Sequence, residues 1–131
     1  MNLEAEYVQL CQRVEVAQQN ALDSFLWRGG VPDARKDQEA VNDWARAFAM
    51  ASVAFPEATA RERDQLVRLH YARRSCILRF TGKLKSTEAE VVAAENHFCR
   101  CRDTVLVSLG ARLTPLQRYV LERDFLTMTF D

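Results

Sequence analysis

The side chains most able to bind a metal or act as nucleophiles in this 131-residue chain are those of its two histidines and four cysteines. His97, Cys99 and Cys101 form a dense group of metal-ligand types. Residues two apart on a helix point in nearly opposite directions, so these three side chains are not expected to converge on one ion. The chain has no nucleophile elbow, phosphate-binding glycine loop or zinc-hydrolase helix motif. The pattern predicts no metal site, no cofactor and no catalytic residues, and therefore a protein that is not an enzyme.

Three charged residues fall inside apolar helical faces, Arg73 on the third predicted helix and Glu95 and Arg102 on the fourth. Arg73 interrupts the face formed by Leu66, Leu69, Cys76, Ile77 and Phe80, and Glu95 interrupts the face that includes Phe98 and Leu106. Folding the two helices into a hairpin brings Arg73 and Glu95 to the same height. A buried charge is costly unless it is paired, so we predict a buried Arg73–Glu95 ion pair that fixes the register. The alternatives are side chains that reach solvent at the edge of the helices, or a polar ligand pocket.

Positive charge is concentrated in residues 57–85, which carry eight basic and three acidic side chains, whereas the rest of the chain carries ten and fifteen. The basic stripe is the set of these cations on one face of the third predicted helix and in its loop: Arg61, Arg68, Arg79, Lys83 and Lys85. No carboxylate lies three or four residues from Arg79, so the stripe is predicted to contact an acidic protein or a phosphate backbone. The alternative is a solvated face neutralised by neighbouring helices.

Aromatic residues provide a second set of interface candidates. Trp27 lies away from the apolar seam of the first helix, and the C-terminal segment offers Phe125, Met128 and Phe130. Exposed aromatic residues often mark protein interfaces, so Trp27 is predicted to contact a partner. Burial against the end of the helices is the alternative.

Caps and apolar spacing predict five helices that position these residues. The first runs from Leu3 to Arg28 and ends at Gly29-Gly30, and the second spans Pro32-Asp33 to Pro56. Each of the other three helices begins at a capping box, and these boxes are Thr59 with Glu62, Thr87 with Glu90 and Thr114 with Gln117. The third and fourth helices end before glycines. Connections of about four to six residues favour antiparallel neighbours. We predict an all-α fold, an up-down-up-down four-helix bundle with a shorter fifth helix, in one domain over residues 1–131.

The composition is that of an ordinary globular protein, with 48% hydrophobic and 27% charged residues and a formal net charge of zero. Four glycines and three prolines are few for an all-β fold. No apolar stretch approaches the roughly 20 residues of a membrane span, and the acidic start does not resemble a secretion signal. The cysteines lie within apolar helical patterns, as is typical of reduced thiols. These features predict a cytoplasmic protein without a membrane partner.

Two segments carry family resemblances. Residues 113–131, beginning Leu-Thr-Pro-Leu-Gln-Arg-Tyr-Val-Leu, resemble the first helix of the helix-turn-helix in sigma-factor region 4 and LuxR-type regulators. That resemblance implies a capped helix packed under a DNA-reading helix, although Met128 replaces the usual glycine and the sequence stops where that second helix would begin. The run from His70 to Cys76 resembles the acceptor helix of histidine phosphotransfer domains, with Arg73 matching a basic position and Arg74 replacing a small glycine.

Together these observations favour a non-enzymatic accessory or regulatory protein of bacterial type that binds another macromolecule. An adaptor, inhibitor, immunity protein or secretion chaperone fits this description, and a protein is the favoured partner. A nucleic-acid or transcription-related subunit, using the basic stripe and the sigma-like helix, is the first alternative. A phosphotransfer domain with His70 as acceptor is the second. The pattern leaves a homo-oligomer open.

Overall fold

The computed structural model describes the backbone of residues 2–27 and 38–128 and the side chains of residues 2–23 and 39–128. The described helices are α1 (Leu3–Trp27), α2 (Gln38–Ala54), α3 (Ala60–Phe80), α4 (Glu88–Leu109) and α5 (Pro115–Val120). A 3₁₀ turn, Gly110–Arg112, follows α4, and a π-helical turn, Leu121–Leu126, continues α5. No strand occurs in residues 2–27 or 38–128. The predicted all-α class, with four long helices and a shorter fifth, is confirmed.

Side chains cap the helix starts as their spacing predicts. Asn2 Oδ1 accepts hydrogen bonds from the amides of Glu4 and Ala5, at 3.1 and 3.2 Å, and begins α1. All three predicted capping boxes form, because each threonine accepts from the third residue of its helix, whose side chain accepts from the threonine amide. Each box satisfies two amides that no helical carbonyl reaches. The predicted boundary signals between residues 28 and 37 lie outside the described residues.

The chain divides into two compact units, Met1–Ala58 and Thr59–Asp131. In the first unit α1 and α2 pack against each other, and Gln18 Nε2 donates to the carbonyl oxygen of Asn42 at 3.1 Å. Leu10 and Val14 of α1 are almost fully buried, and so are several alanines of α2. The prediction of one domain over residues 1–131 stays a prediction.

The second unit is an antiparallel hairpin of α3 and α4 completed by the C-terminal segment. Gly82 ends α3 in the left-handed conformation, at φ 76°, which a residue with a Cβ adopts only at a cost. Phe125, in the π-helical turn, is buried and meets the His70 ring of α3 edge to face, with ring centroids 6.4 Å apart. The short C-terminal helices therefore close the core of this unit on α3.

Several large apolar residues that the spacing assigns to the core are exposed. Phe80 is 69% exposed and Leu106 is 39% exposed, so the predicted faces of α3 and α4 are too wide at these positions. On α2, Phe48 is 44% exposed and stacks on Trp44 at 5.5 Å. Most of the buried positions of α2 are instead held by alanines, which permit close backbone approach, and Val41 and Met50 complete the set; the alanines are Ala45, Ala47, Ala49, Ala51 and Ala54. None of the described helices is both long enough and apolar enough to cross a membrane.

Candidate partner-binding groove

A polar groove of about 440 Å³ runs between α3 and α4. Its α3 wall comes from positions three and four residues apart on one face, and α4 supplies a matching set. We call this site the basic groove and define it by its lining residues: Arg61, Asp64, Gln65, Arg68, His97, Arg100, Cys101 and Thr104. Two members of the predicted basic stripe, Arg61 and Arg68, thus lie in one site.

Positive charge exceeds negative charge in the basic groove, which holds three guanidinium groups and one carboxylate. Arg68 Nε lies 3.0 Å from Asp64 Oδ2, one helical turn away. Among the described residues no carboxylate lies within salt-bridge distance of Arg61 or Arg100, and both are exposed. These two cations are therefore available to an anionic group.

The groove floor also carries an unused hydrogen-bond acceptor. Gln65 Oε1 is buried and has no hydrogen-bond partner in the described part of the chain. Leaving a buried acceptor unpaired costs free energy, so an N–H or O–H donor that reached this atom would be bound favourably. A second cavity shares Arg61, Gln65 and Thr104 with the groove and extends it past Val107, which is 87% exposed. The groove therefore continues onto an apolar rim.

His97 and Cys101 face each other inside the basic groove. Cys101 Sγ lies 3.8 Å from His97 Nε2, within hydrogen-bond range for sulfur. Burial raises the pKa of the Cys101 thiol, and the guanidinium groups of Arg100 and Arg68 oppose that rise. Residues four apart share one face of a helix, so the i, i+4 spacing of His97 and Cys101 is a sequence signal for this contact once Cys99 is set aside. No group of three or more histidine, cysteine or acidic side chains could hold a metal ion in the part of the chain that the structure describes.

The far half of the basic stripe differs from the prediction. Arg79 Nη1 lies 3.1 Å from Glu90 Oε2 and donates to Ser86 Oγ at 2.7 Å, so this guanidinium is neutralised across the hairpin. Lys83 and Lys85 are exposed in the loop. The stripe is therefore interrupted at Arg79, because the acidic first turn of α4 lies opposite the last turn of α3.

The predicted buried ion pair of Arg73 and Glu95 is corrected by the structure. Glu95 is exposed and lines a small groove with Cys76, Ile77 and Phe80, so a buried pair is wrong. Arg73 is half-buried and donates from Nε to the backbone carbonyl oxygen of Thr127 at 2.6 Å. The physical reason is the C-terminal segment, which lies along α3 and supplies a carbonyl acceptor.

One acidic residue is buried although no pattern in the sequence predicts its burial. Glu62, the third residue of α3, is 8% exposed, and it accepts hydrogen bonds from the Thr59 amide at 2.9 Å and from Arg112. The Thr59 amide, and then the charge of Arg112, hold the pKa of Glu62 below its ordinary value. This contact joins the start of α3 to the turn after α4, and so closes the open end of the hairpin.

The sequence also singles out Trp27, Phe125 and His70 as candidate residues. The side chain of Trp27 and the residues from Thr129 onward lie outside the described part of the chain. Phe125 is 1% exposed, so burial, the alternative given for the aromatic candidates, applies to it, because the π-helical turn inserts it into the core. His70 is half-buried beside Phe125 and Tyr71.

Comparison of the chain with protein families, with characterised proteins and with solved structures finds no match in any of the three.

Proposed function

We propose that this chain is a non-enzymatic accessory protein that binds an acidic segment of another protein in the basic groove. The observation that carries the proposal is the pair of exposed guanidinium groups, Arg61 and Arg100, which face one cavity without a carboxylate partner among the described residues. Carboxylates bind guanidinium groups in a bidentate geometry that fixes orientation as well as adding affinity. An acidic side chain is the matching group.

Two further features favour a peptide over a nucleic-acid backbone. Gln65 Oε1 has no donor among the described residues, and a peptide offers a backbone N–H at nearly every residue, whereas phosphate groups offer only acceptors and an RNA backbone adds only the ribose 2′-hydroxyl. Val107 on the rim suits an aliphatic side chain next to the acidic one.

A nucleic-acid partner is the second candidate, because Lys83 and Lys85 add exposed positive charge to the same hairpin. Arg79 lies between these lysines and the groove, and Glu90 neutralises it. The separation from Arg68 to Arg79 is eleven residues of α3, which is about 16 Å of helix. A backbone that follows the hairpin from the loop would therefore meet a guanidinium group already neutralised by Glu90 before it reached the groove.

Two charge-matched double variants test the proposal. Arg61→Gln with Arg100→Gln removes two positive charges from the basic groove, and Lys83→Gln with Lys85→Gln removes two from the loop. Fluorescence anisotropy would compare a labelled peptide of alternating Glu and Leu, its Gln-for-Glu analogue and a labelled single-stranded RNA, each at low and high salt. We expect the acidic peptide to bind, and the groove variant to weaken its binding about tenfold or more while the loop variant has little effect.

Three outcomes would contradict the proposal. Equal losses in the two variants would mean that the peptide responds only to net charge. Tighter binding of the RNA, lost in the loop variant with a steep dependence on salt, would establish the nucleic-acid alternative. Equal binding of the acidic peptide and its Gln analogue would remove the role of the guanidinium groups.

A further inference from the structure

The His97–Cys101 pair lies in the basic groove but has no part in the proposed recognition of a partner. Cys101 is half-buried and lines the cavity, so a small molecule in the groove can reach its sulfur. Thiol reactivity needs a base and an electropositive surrounding that stabilises the thiolate. His97 Nε2 lies 3.8 Å from Cys101 Sγ and is placed to accept its proton. Burial is the larger effect and raises the pKa of the Cys101 thiol, and the Arg100 and Arg68 guanidinium groups oppose that rise, so the thiol depends on this base.

The groove also indicates the kind of molecule that would reach this thiol. Arg61 and Arg100 have no carboxylate partner in the described part of the chain, and Asp64, the one carboxylate of the groove, is held by Arg68 at 3.0 Å. An incoming molecule with carboxylate groups would therefore be attracted, and a cationic one repelled. This charge pattern is independent of the cysteine and itself points to an anionic ligand.

We propose that Cys101 is a thiol-modification site, at which its sulfur forms a mixed disulfide with a low-molecular-weight disulfide that carries carboxylate groups. His97 Nε2 accepts the thiol proton, and Cys101 Sγ attacks one sulfur of the incoming disulfide. The original S–S bond breaks, a new S–S bond forms to Cys101, and the leaving thiolate takes the proton from the His97 imidazolium. One disulfide is exchanged for another, so the incoming disulfide is the oxidant and no further reagent is needed.

Cys99 is a built-in comparison, because it is two residues away on α4 and is also half-buried. Cys99 is not among the residues that line the basic groove, because residues two apart on a helix do not share a face. Nearby sequence and overall fold are shared by the two cysteines. Only Cys101 of the two lines the groove together with His97 and the guanidinium groups.

The test uses the full chain with Cys11→Ser as background and either Cys99→Ser or Cys101→Ser added. Each protein is treated with glutathione disulfide, which carries carboxylates, or with cystamine, which is dicationic, and adducts are followed by intact-protein mass. We expect the protein that retains Cys101 to react with glutathione disulfide about tenfold faster than the one that retains Cys99. That preference should reverse or vanish with cystamine, and should fall when Arg61→Gln and Arg100→Gln are added.

His97→Gln separates the role of the base from that of the charges. Loss of the base should slow adduct formation near neutral pH and leave the rate at alkaline pH nearly unchanged, because hydroxide then removes the proton. Circular dichroism melting of each variant verifies the fold. Equal rates at Cys99 and Cys101 with both disulfides would overturn the proposal, and an unchanged pH profile in His97→Gln would remove the assigned role of the imidazole. Because no protein partner is present, either failure is distinct from failure of the peptide-binding proposal.

Discussion

Replacement of Arg73 should destabilise the protein and replacement of Glu95 should not, although both residues interrupt apolar patterns in the sequence. Arg73→Met keeps the apolar stem of the side chain but removes the hydrogen bond from Nε to the Thr127 carbonyl, which is 2.6 Å long. A hydrogen bond to a charged group contributes about 1.5–3 kcal/mol. Arg73 is half-buried, so water can partly replace it, and we expect a loss near 1.5 kcal/mol. Glu95→Gln should change stability by less than about 0.5 kcal/mol, because Glu95 is exposed.

Urea unfolding followed by circular dichroism measures both changes, and the double variant completes a thermodynamic cycle. The coupling free energy should stay below about 0.5 kcal/mol, whereas a buried ion pair would make each single replacement cost about 3–5 kcal/mol. Arg73→Lys is the matched control, since it keeps the charge but has no Nε–H. It should be nearly as destabilising as Arg73→Met.

Hydrogen exchange provides a local readout of the same contact. The Thr127 amide donates to the Glu122 carbonyl oxygen at 2.9 Å, which closes the π-helical turn. In Arg73→Met this amide should exchange about tenfold faster, as follows from a local loss near 1.4 kcal/mol. A destabilising Glu95→Gln, or a Thr127 amide that keeps its protection without Arg73, would refute the reasoning.

Three further replacements test the packing of the second unit. Leu69→Ala empties a fully buried position and should cost about 2–5 kcal/mol in urea unfolding. Gly82→Ala should cost about 1–2 kcal/mol, all of it from the backbone at φ 76°, since an added Cβ meets nothing within 4 Å. The pKa of Glu62 is lowered in the folded state, so its stabilisation is present above the ordinary value of 4.5 and is lost as pH falls through the folded value. Glu62→Gln should therefore flatten the acid side of the stability profile, measured as the urea midpoint against pH.

Whether a contact could be predicted from the sequence depends on how many positions separate its two residues along the chain. Capping boxes join residues three positions apart, so the starts of α3, α4 and α5 were predictable from residue type alone. The partner of Arg73 is a backbone carbonyl 54 positions away. Every residue has a carbonyl group, so no residue type marks that acceptor in the sequence. The contact between Arg112 and Glu62 spans 50 positions and was missed for a similar reason.

The basic groove shows an intermediate case. Helical spacing placed Arg61 and Arg68 on one face of α3, and the structure keeps them together. Arg100 joins them only through the register of the hairpin, which the pattern of one helix does not contain. The same register brings Glu90 to Arg79. The register of the hairpin thus brings Arg100 to one end of the predicted stripe and neutralises Arg79 at the other end.

The position of a charged side chain relative to the helix ends determines whether its charge stabilises the helix. Arg79 is in the last turn of α3 and Glu90 is in the first turn of α4, so each complements the dipole of its own helix, and they also bind each other. Arg61 is in the first turn of α3, where a positive charge opposes the helix dipole, by about 0.3–1 kcal/mol for an exposed group. It has no carboxylate partner among the described residues, and it faces the groove. Stability explains the positions of Arg79 and Glu90 but not that of Arg61, and the proposed recognition of an acidic partner in the groove would supply a reason for it.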